Sequence, residues 1–178
     1  MTHPNMDTYV LTLSRTFPVK HPKAGEPTYF KEKIYNGGVL LSQALEYAMP
    51  ANSKEPNVKR HTIRANYELW RKRFDKIERG EACLSIRQWT GKPYASKQIE
   101  IARLTKDDGI GLQKMEFLKY QEGFTGDGIW IAGHTFPSHQ RERIANNDGL
   151  TLRDWEAWFK DYDKTKPLAI IHFTKFRY

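Results

Sequence analysis

The chain has 178 residues, a formal charge of +8 at pH 7, a pI near 9.5 and a mean hydropathy of −0.73. That length suits one domain, 1–178, able to bury a sizeable core, and the charge favours an anionic partner, nucleic acid first. No run approaches the ~18 apolar residues of a spanning helix, the first residues show no charged-then-apolar leader, and the single Cys83 excludes an internal disulfide framework or a cysteine-based zinc site; a cytoplasmic protein is expected.

Residues 8–17, rich in branched and aromatic side chains, predict a β-strand. A loop punctuated by Pro18, Pro22, Gly25 and Pro27 follows. Thr28 caps a short helix carrying Phe30 and Ile34 at i,i+4, which Gly37-Gly38 stops. Leu40, Leu41, Ala44, Leu45 and Ala48 mark a second amphipathic helix, ended by Pro50. A turn-forming stretch, 49–57, leads into Lys59-Arg60-His61-Thr62-Ile63-Arg64, where an amine, a hydroxyl and a guanidinium lie within a few residues. Period-2 alternation puts Thr62 and Arg64 on one face and Ile63 on the other. Lys59 has the opposite parity and joins them only if the chain turns between Lys59 and Thr62.

Asn66 is an N-cap for a helix with Tyr67, Trp70, Phe74 and Ile77 on one side and Gly80 at its end. Arg71, Lys72 and Lys76, with Arg79 close by, form either a solvated basic face or one that tracks phosphates. Residues 83–89 alternate as a strand, Thr90-Gly91-Lys92-Pro93 turns it, and 96–104 follows with Ile99 and Ile101 on one face. Asp107-Asp108-Gly109 is a turn, and 112–120 a third strand. The glycine-rich stretch 124–130 lacks the Gly-Lys-Ser/Thr ending of a phosphate loop and reads as a mobile rim loop. Trp130, His134, Phe136 and His139, in or after it, either stack on a base or anchor packing. The six histidines show no ligand spacing, so no metal is expected.

Thr151 and Asp154 form an approximate capping box, with Leu150 and Trp155 at the hydrophobic-staple positions. Leu152, Trp155, Trp158, Phe159 and Tyr162 give this helix, 151–162, a broad apolar face, and 168–176 reads as a closing strand. Asp148 lies just ahead of the helix, where its carboxylate either caps backbone N–H groups or faces a pocket. Short turn-linked strands with amphipathic helices predict an α+β small barrel or rolled sheet, not a parallel α/β sheet.

The order Lys-x-x-Thr-Ile-Arg at 59–64, the strand Leu84-Ser85-Ile86-Arg87, a late Thr-Leu helix start and a closing apolar strand resembles the ASCH family of PUA-like domains. Within it, the chain is most similar to the small bacterial N4-acetylcytidine amidohydrolases. The likeness covers about half of the chain in three anchors, 59–64, 80–101 and 148–176, leaving 38–58 and 123–146 as insertions. It implies a small PUA-like β-barrel with flanking helices. It also implies hydrolysis of the acyl amide of a nucleoside such as N4-acetylcytidine, with no cofactor. The family's catalytic Lys and Thr fall on Lys59 and Thr62, and its later Glu falls on Asp148, a change of residue type. The family's Gly directly before the Lys motif is missing: Asn57-Val58 stands there, and Gly37-Gly38 lies upstream.

Those residue types suit the reaction. A Thr hydroxyl is a weak nucleophile without an adjacent base, and a lysine is a base only when neutral, against an unperturbed pKa of ~10.4. Burial and a nearby cation such as Arg64 lower that value. Asp148 orients the amine or relays its proton, and Arg64 holds the substrate or the developing oxyanion. The rival from another class is a PUA-like binding module that holds RNA or a modified base unchanged, with Arg71, Lys72, Lys76 and Arg79 as phosphate contacts. The sequence leaves open whether free nucleoside or RNA is the partner, and the oligomeric state.

Overall fold

A computed structural model describes residues 6–38, 56–123 and 125–178. In chain order its elements are β1 (Asp7–Leu13), α1 (Phe30–Asn36), β2 (His61–Arg64), α2 (Tyr67–Glu78), β3 (Ala82–Trp89), β4 (Gln98–Leu104), β5 (Gly111–Phe117), β6 (Ile129–Ile131), β7 (His134–Phe136), α3 (Arg141–Asn147), α4 (Leu152–Trp158) and β8 (Leu168–His172). The helix expected around 40–48 and most of the turn 49–57 fall outside the described residues.

The fold is mixed α+β, but its strands form two sheets and no closed barrel among the described residues. One sheet has the order β1-β3-β4 and the other β2-β8-β5-β6-β7. β1 and β3 run parallel, with Asp7 opposite Ala82 and Leu13 opposite Gln88, and every other pairing is antiparallel. The parallel pair follows from connectivity: α1, β2 and α2 intervene, which gives the long crossover that parallel neighbours need. β3 is central and buried along most of its length. Its pairing with β4 slips between Ile86 and Arg87, and beyond the slip Ile99 is exposed while Ile101 stays buried.

Side chains from both sheets share one hydrophobic core, in which Leu11, Leu84, Ile86, Met115, Ile170 and Trp155 are almost wholly buried. Helix α2 closes it, laying Trp70, Phe74 and Ile77 against β3, β5 and β8. Asn66 caps that helix as expected, accepting from the Leu69 N–H at 3.2 Å. β1 is shorter than the predicted 8–17 strand, because the chain leaves the sheet at Ser14 and Thr16 instead bridges Pro27.

The third quarter departs most from the sequence reading. Residues 129–136 are a β-hairpin turned at Ala132 (φ 46°) and Gly133 (φ 93°). Trp130 and His134 therefore sit on strands, and Phe136 is buried edge-on to Tyr178 at 5.4 Å. Beyond the hairpin, 141–147 is helix α3, and Asp148 is its C-terminal cap residue. Helix α4 stops at Trp158, short of the expected 162. Its capping box takes a different form: Thr151 accepts from the Asp154 N–H at 3.1 Å, and the Asp154 carboxylate accepts from Thr151 Oγ1 at 2.8 Å and Lys23 Nζ at 2.7 Å. No helix among the described residues is long and apolar enough to cross a membrane.

Candidate active site

The cluster is assembled where α1, the start of β2 and the α3–α4 corner meet. Thr62 and Arg64 lie on β2, held in register by β8 through Thr62–Ile171 and Arg64–Ala169. Lys59 precedes the strand, so the alternation rule does not bind it. Its backbone N–H donates to the Lys33 carbonyl of α1 at 2.8 Å, and that of Arg60 donates to the Asn147 carbonyl at the end of α3 at 2.8 Å. These two bonds steer the Lys59 side chain inward, where it is 1% exposed. Lys59, Thr62, Arg64 and Asp148 then line one small cavity with Ser14, Phe30 and Trp158.

Asp148 resolves its two alternatives. Its carboxylate is buried and caps no helix: Oδ1 accepts from Lys59 Nζ at 2.5 Å, and the Asp148 backbone carbonyl accepts from the same amine at 2.6 Å. Thr151 caps α4 instead. The Lys59 ammonium also stands 4.1 Å from the centre of the Phe30 ring, within cation–π range. Arg64 donates through Nη2 to the Thr12 carbonyl at 2.6 Å, which fixes it at the end of β1.

Burial dominates the electrostatics. It pulls the Lys59 amine below the ordinary lysine range, against the pull of Asp148, and Arg64 lowers it further. Burial raises Asp148 above the usual carboxylate range, against Lys59 and Arg64. Both members are thus pushed toward neutrality across one short contact. Burial also lowers Arg64, with Tyr162 and Asp148 pulling the other way.

Thr62 is 4% exposed, and none of the described residues hydrogen-bonds its hydroxyl. No direct bond joins it to Lys59. The cavity they share measures about 10 Å³, which is room for one water.

Two glycines let the backbones come this close. A Cβ on Gly37 would stand 2.7 Å from the Lys59 carbonyl oxygen, and one on Gly149 (φ 79°) would stand 3.2 Å from Lys59 Cβ and 3.3 Å from Lys33 Cδ. Lys33 is buried and donates to the Gly149 carbonyl at 2.8 Å. Sequence reading singled out neither Phe30, Lys33 nor Gly149 for the site. The Gly37-Gly38 pair is the one visible signal, and it reads as a helix stop lying upstream of the missing motif glycine.

A second buried network braces the corner from behind. Asn147 Nδ2 donates to the Tyr178 hydroxyl at 3.2 Å, and that hydroxyl shares a hydrogen bond of 2.7 Å with His61 Nε2. Burial and the neighbouring His172 hold the His61 ring well below its usual pKa, and burial takes His172 down to about 3, so both rings are neutral at ordinary pH.

The basic side chains of α2 are not brought to this cavity. Arg71 and Lys72 are exposed, Lys76 pairs with Asp7 at 2.8 Å, and Arg79 pairs with Glu81 at 2.7 Å. His134 and His139 are exposed, and the described residues contain no group of three or more His, Cys, Asp or Glu placed to hold a metal ion. Compared with family models, curated proteins and solved structures, the chain matches none.

Proposed function

We propose that this protein is an amidohydrolase of the ASCH type, on a PUA-like framework, that removes the acyl group from the exocyclic amine of a nucleoside such as N4-acetylcytidine. One observation carries the reading: a buried Lys59–Asp148 pair lies beside an uncommitted Thr62 hydroxyl and the Arg64 guanidinium, around a cavity sized for one water. A neutral Lys59 amine takes the Thr62 proton, directly or through that water, and Thr62 Oγ1 bonds to the acyl carbon. Arg64 offsets the charge on the tetrahedral oxyanion. The carbon–nitrogen bond then breaks, and the Lys59 ammonium returns the proton to the leaving amine. Water next attacks the acyl-Thr62 ester, Lys59 again takes and returns the proton, and acetate leaves with the Thr62 hydroxyl restored. Asp148 holds the Lys59 proton when the amine must be free.

Incubation with a panel of acylated nucleosides, read by mass spectrometry, tests the proposal. The wild type releases acetate, and Lys59→Ala and Thr62→Ala do not. A folded Thr62→Ala protein working at full rate removes Thr62 as the nucleophile. The rival reading, a module that binds RNA or a modified base, draws on the exposed Arg71 and Lys72. A protein that binds acetylcytidine and returns it intact is that module.

A further inference from the structure

The cavity beside Lys59 has room for one water, and its Ser14 wall is shared with a large open groove. That groove measures about 1010 Å³ and runs between the chain leaving β1 and the β3–β4 turn. It lies at the upper end of the range that holds drug-sized ligands. Arg15 ties its two lips together, Nη1 donating to the Thr90 carbonyl.

Four aromatic residues line it, the buried Phe17 and the more open Tyr29, Trp89 and Tyr94. Trp89 and Tyr94 stand 5.3 Å apart at 52°, and Tyr94 is 93% exposed. Among the described residues, four that are not glycine hold a positive φ. Asn66 and Tyr29 (φ 56°) are the N-cap residues of α2 and α1, and Ala132 sits in a tight hairpin turn. The other is Tyr94 (φ 62°), on this groove, which Tyr29 also lines. A bulky side chain in the left-handed region is strained, and such strain collects at ligand sites. Packing does not explain Tyr94, because its ring has almost no cover beyond Trp89. The charged lining is two cations, Arg15 and Lys92, against one carboxylate, Glu32.

We infer that this groove takes a single strand of RNA, its bases stacking on Trp89, Tyr94 and Tyr29 and its phosphates meeting Lys92 and Arg15. The groove's size calls for more than one nucleotide, and aromatic faces between cations are how single strands are held irrespective of sequence. The inference rests on the proposed reading of Thr62 and Lys59 and names their substrate: an acylated base within a strand, delivered past Ser14. The groove is distinct from the α2 face, which the sequence left open as either a solvated or a phosphate-tracking surface.

Binding is measured on the Thr62→Ala protein, so that turnover does not intrude, by anisotropy of labelled single-stranded RNA oligomers with and without a central N4-acetylcytidine. Trp89→Ala and Tyr94→Ala on that background each weaken affinity about 5- to 150-fold, the loss expected from one stacked base. Tyr94 is exposed, so its removal leaves the fold intact, which an unchanged melting temperature verifies. Unaltered affinity in the Tyr94→Ala protein, or loss only when Arg71 and Lys72 are reversed, overturns the groove. So does the absence of RNA binding at low salt. Acetate release from free acetylcytidine by the wild type then still upholds the catalytic reading. RNA binding lost on Tyr94→Ala, in a wild type that releases no acetate, upholds the groove and sinks the chemistry.

Discussion

Replacing Asp148 by Asn removes the charge that faces Lys59 at 2.5 Å, in a place where the amine is 1% exposed. Breaking a buried pair on one side costs about 3–5 kcal/mol. Deprotonation of Lys59 bounds the loss: neutralising a lysine of pKa ~10.4 at pH 7 costs about 4.6 kcal/mol, at 1.36 kcal/mol per unit. For a chain of this size the expected drop in Tm is about 6–20 °C. The pH dependence is the more specific signature. In the wild type the pair carries one proton folded or unfolded near neutrality, so its contribution there is flat. In the variant the unfolded lysine binds a proton that the folded one lacks, so stability rises with pH by about 1.36 kcal/mol per unit until near pH 10. The deficit therefore closes as pH rises. Differential scanning fluorimetry of both proteins from pH 6 to 10 measures it, beside acetate release at each pH, which should fall by at least about 100-fold in the variant. Asn and Asp are equally good helix caps. Equal melting temperatures, or a deficit that does not change with pH, would refute the account and return Asp148 to a structural role.

Three further outcomes are expected. Lys59→Met with Asp148→Leu removes both partners, so urea unfolding should show a stability equal to the wild type or about 1–4 kcal/mol higher, with no turnover; a loss matching either single variant refutes the desolvation argument. Linkage gives the same sign, since stability from the depressed Lys59 pKa is fully present only above pH ~10.4 and that from the raised Asp148 pKa only below pH ~3.9, so both subtract at neutrality. Gly37→Ala drives a methyl toward the Lys59 carbonyl, and a displacement near 1 Å should cost about 100-fold in kcat with the protein still folded, as steady-state kinetics will show. Reversing Arg71 and Lys72 should flatten the salt slope of any RNA binding through α2 by about 0.7–0.9 per contact, whereas Lys76 and Arg79, already paired with acids, should change it less; an unmoved slope in titrations at several salt concentrations marks a solvated face.

The elements that sequence reading placed well are those decided within a few residues. Asn66 starts α2 and Thr151 starts α4 because each cap bonds an N–H three residues on. Leu150 and Trp155 are both buried as a staple requires, and Gly38 (φ 99°) and Gly80 (φ 76°) end their helices through local backbone geometry. The basic, apolar-striped helix 67–78 was legible for the same reason: the period of its side chains is a property of the segment alone. Residues Lys59, Thr62, Arg64 and Asp148 were named from an order of residue types, and the chain brings all four to one cavity.

What the tertiary structure alone decided is how distant segments meet. The parallel partnership of β1 with β3 depends on which strands bury their faces together, and neither segment carries its partner's identity. The stretch 123–146, read as an insertion, supplies most of α3, the helix that delivers Asp148 to Lys59 across 89 positions of sequence. Gly37 stands behind Lys59 although 22 residues separate them, and Trp89 and Tyr94 line one groove with Ser14 and Tyr29 because the β3–β4 turn meets the end of β1. Burial is set by the whole packed core, so the neutralising pressure on the Lys59–Asp148 pair is a property of the fold and not of either residue.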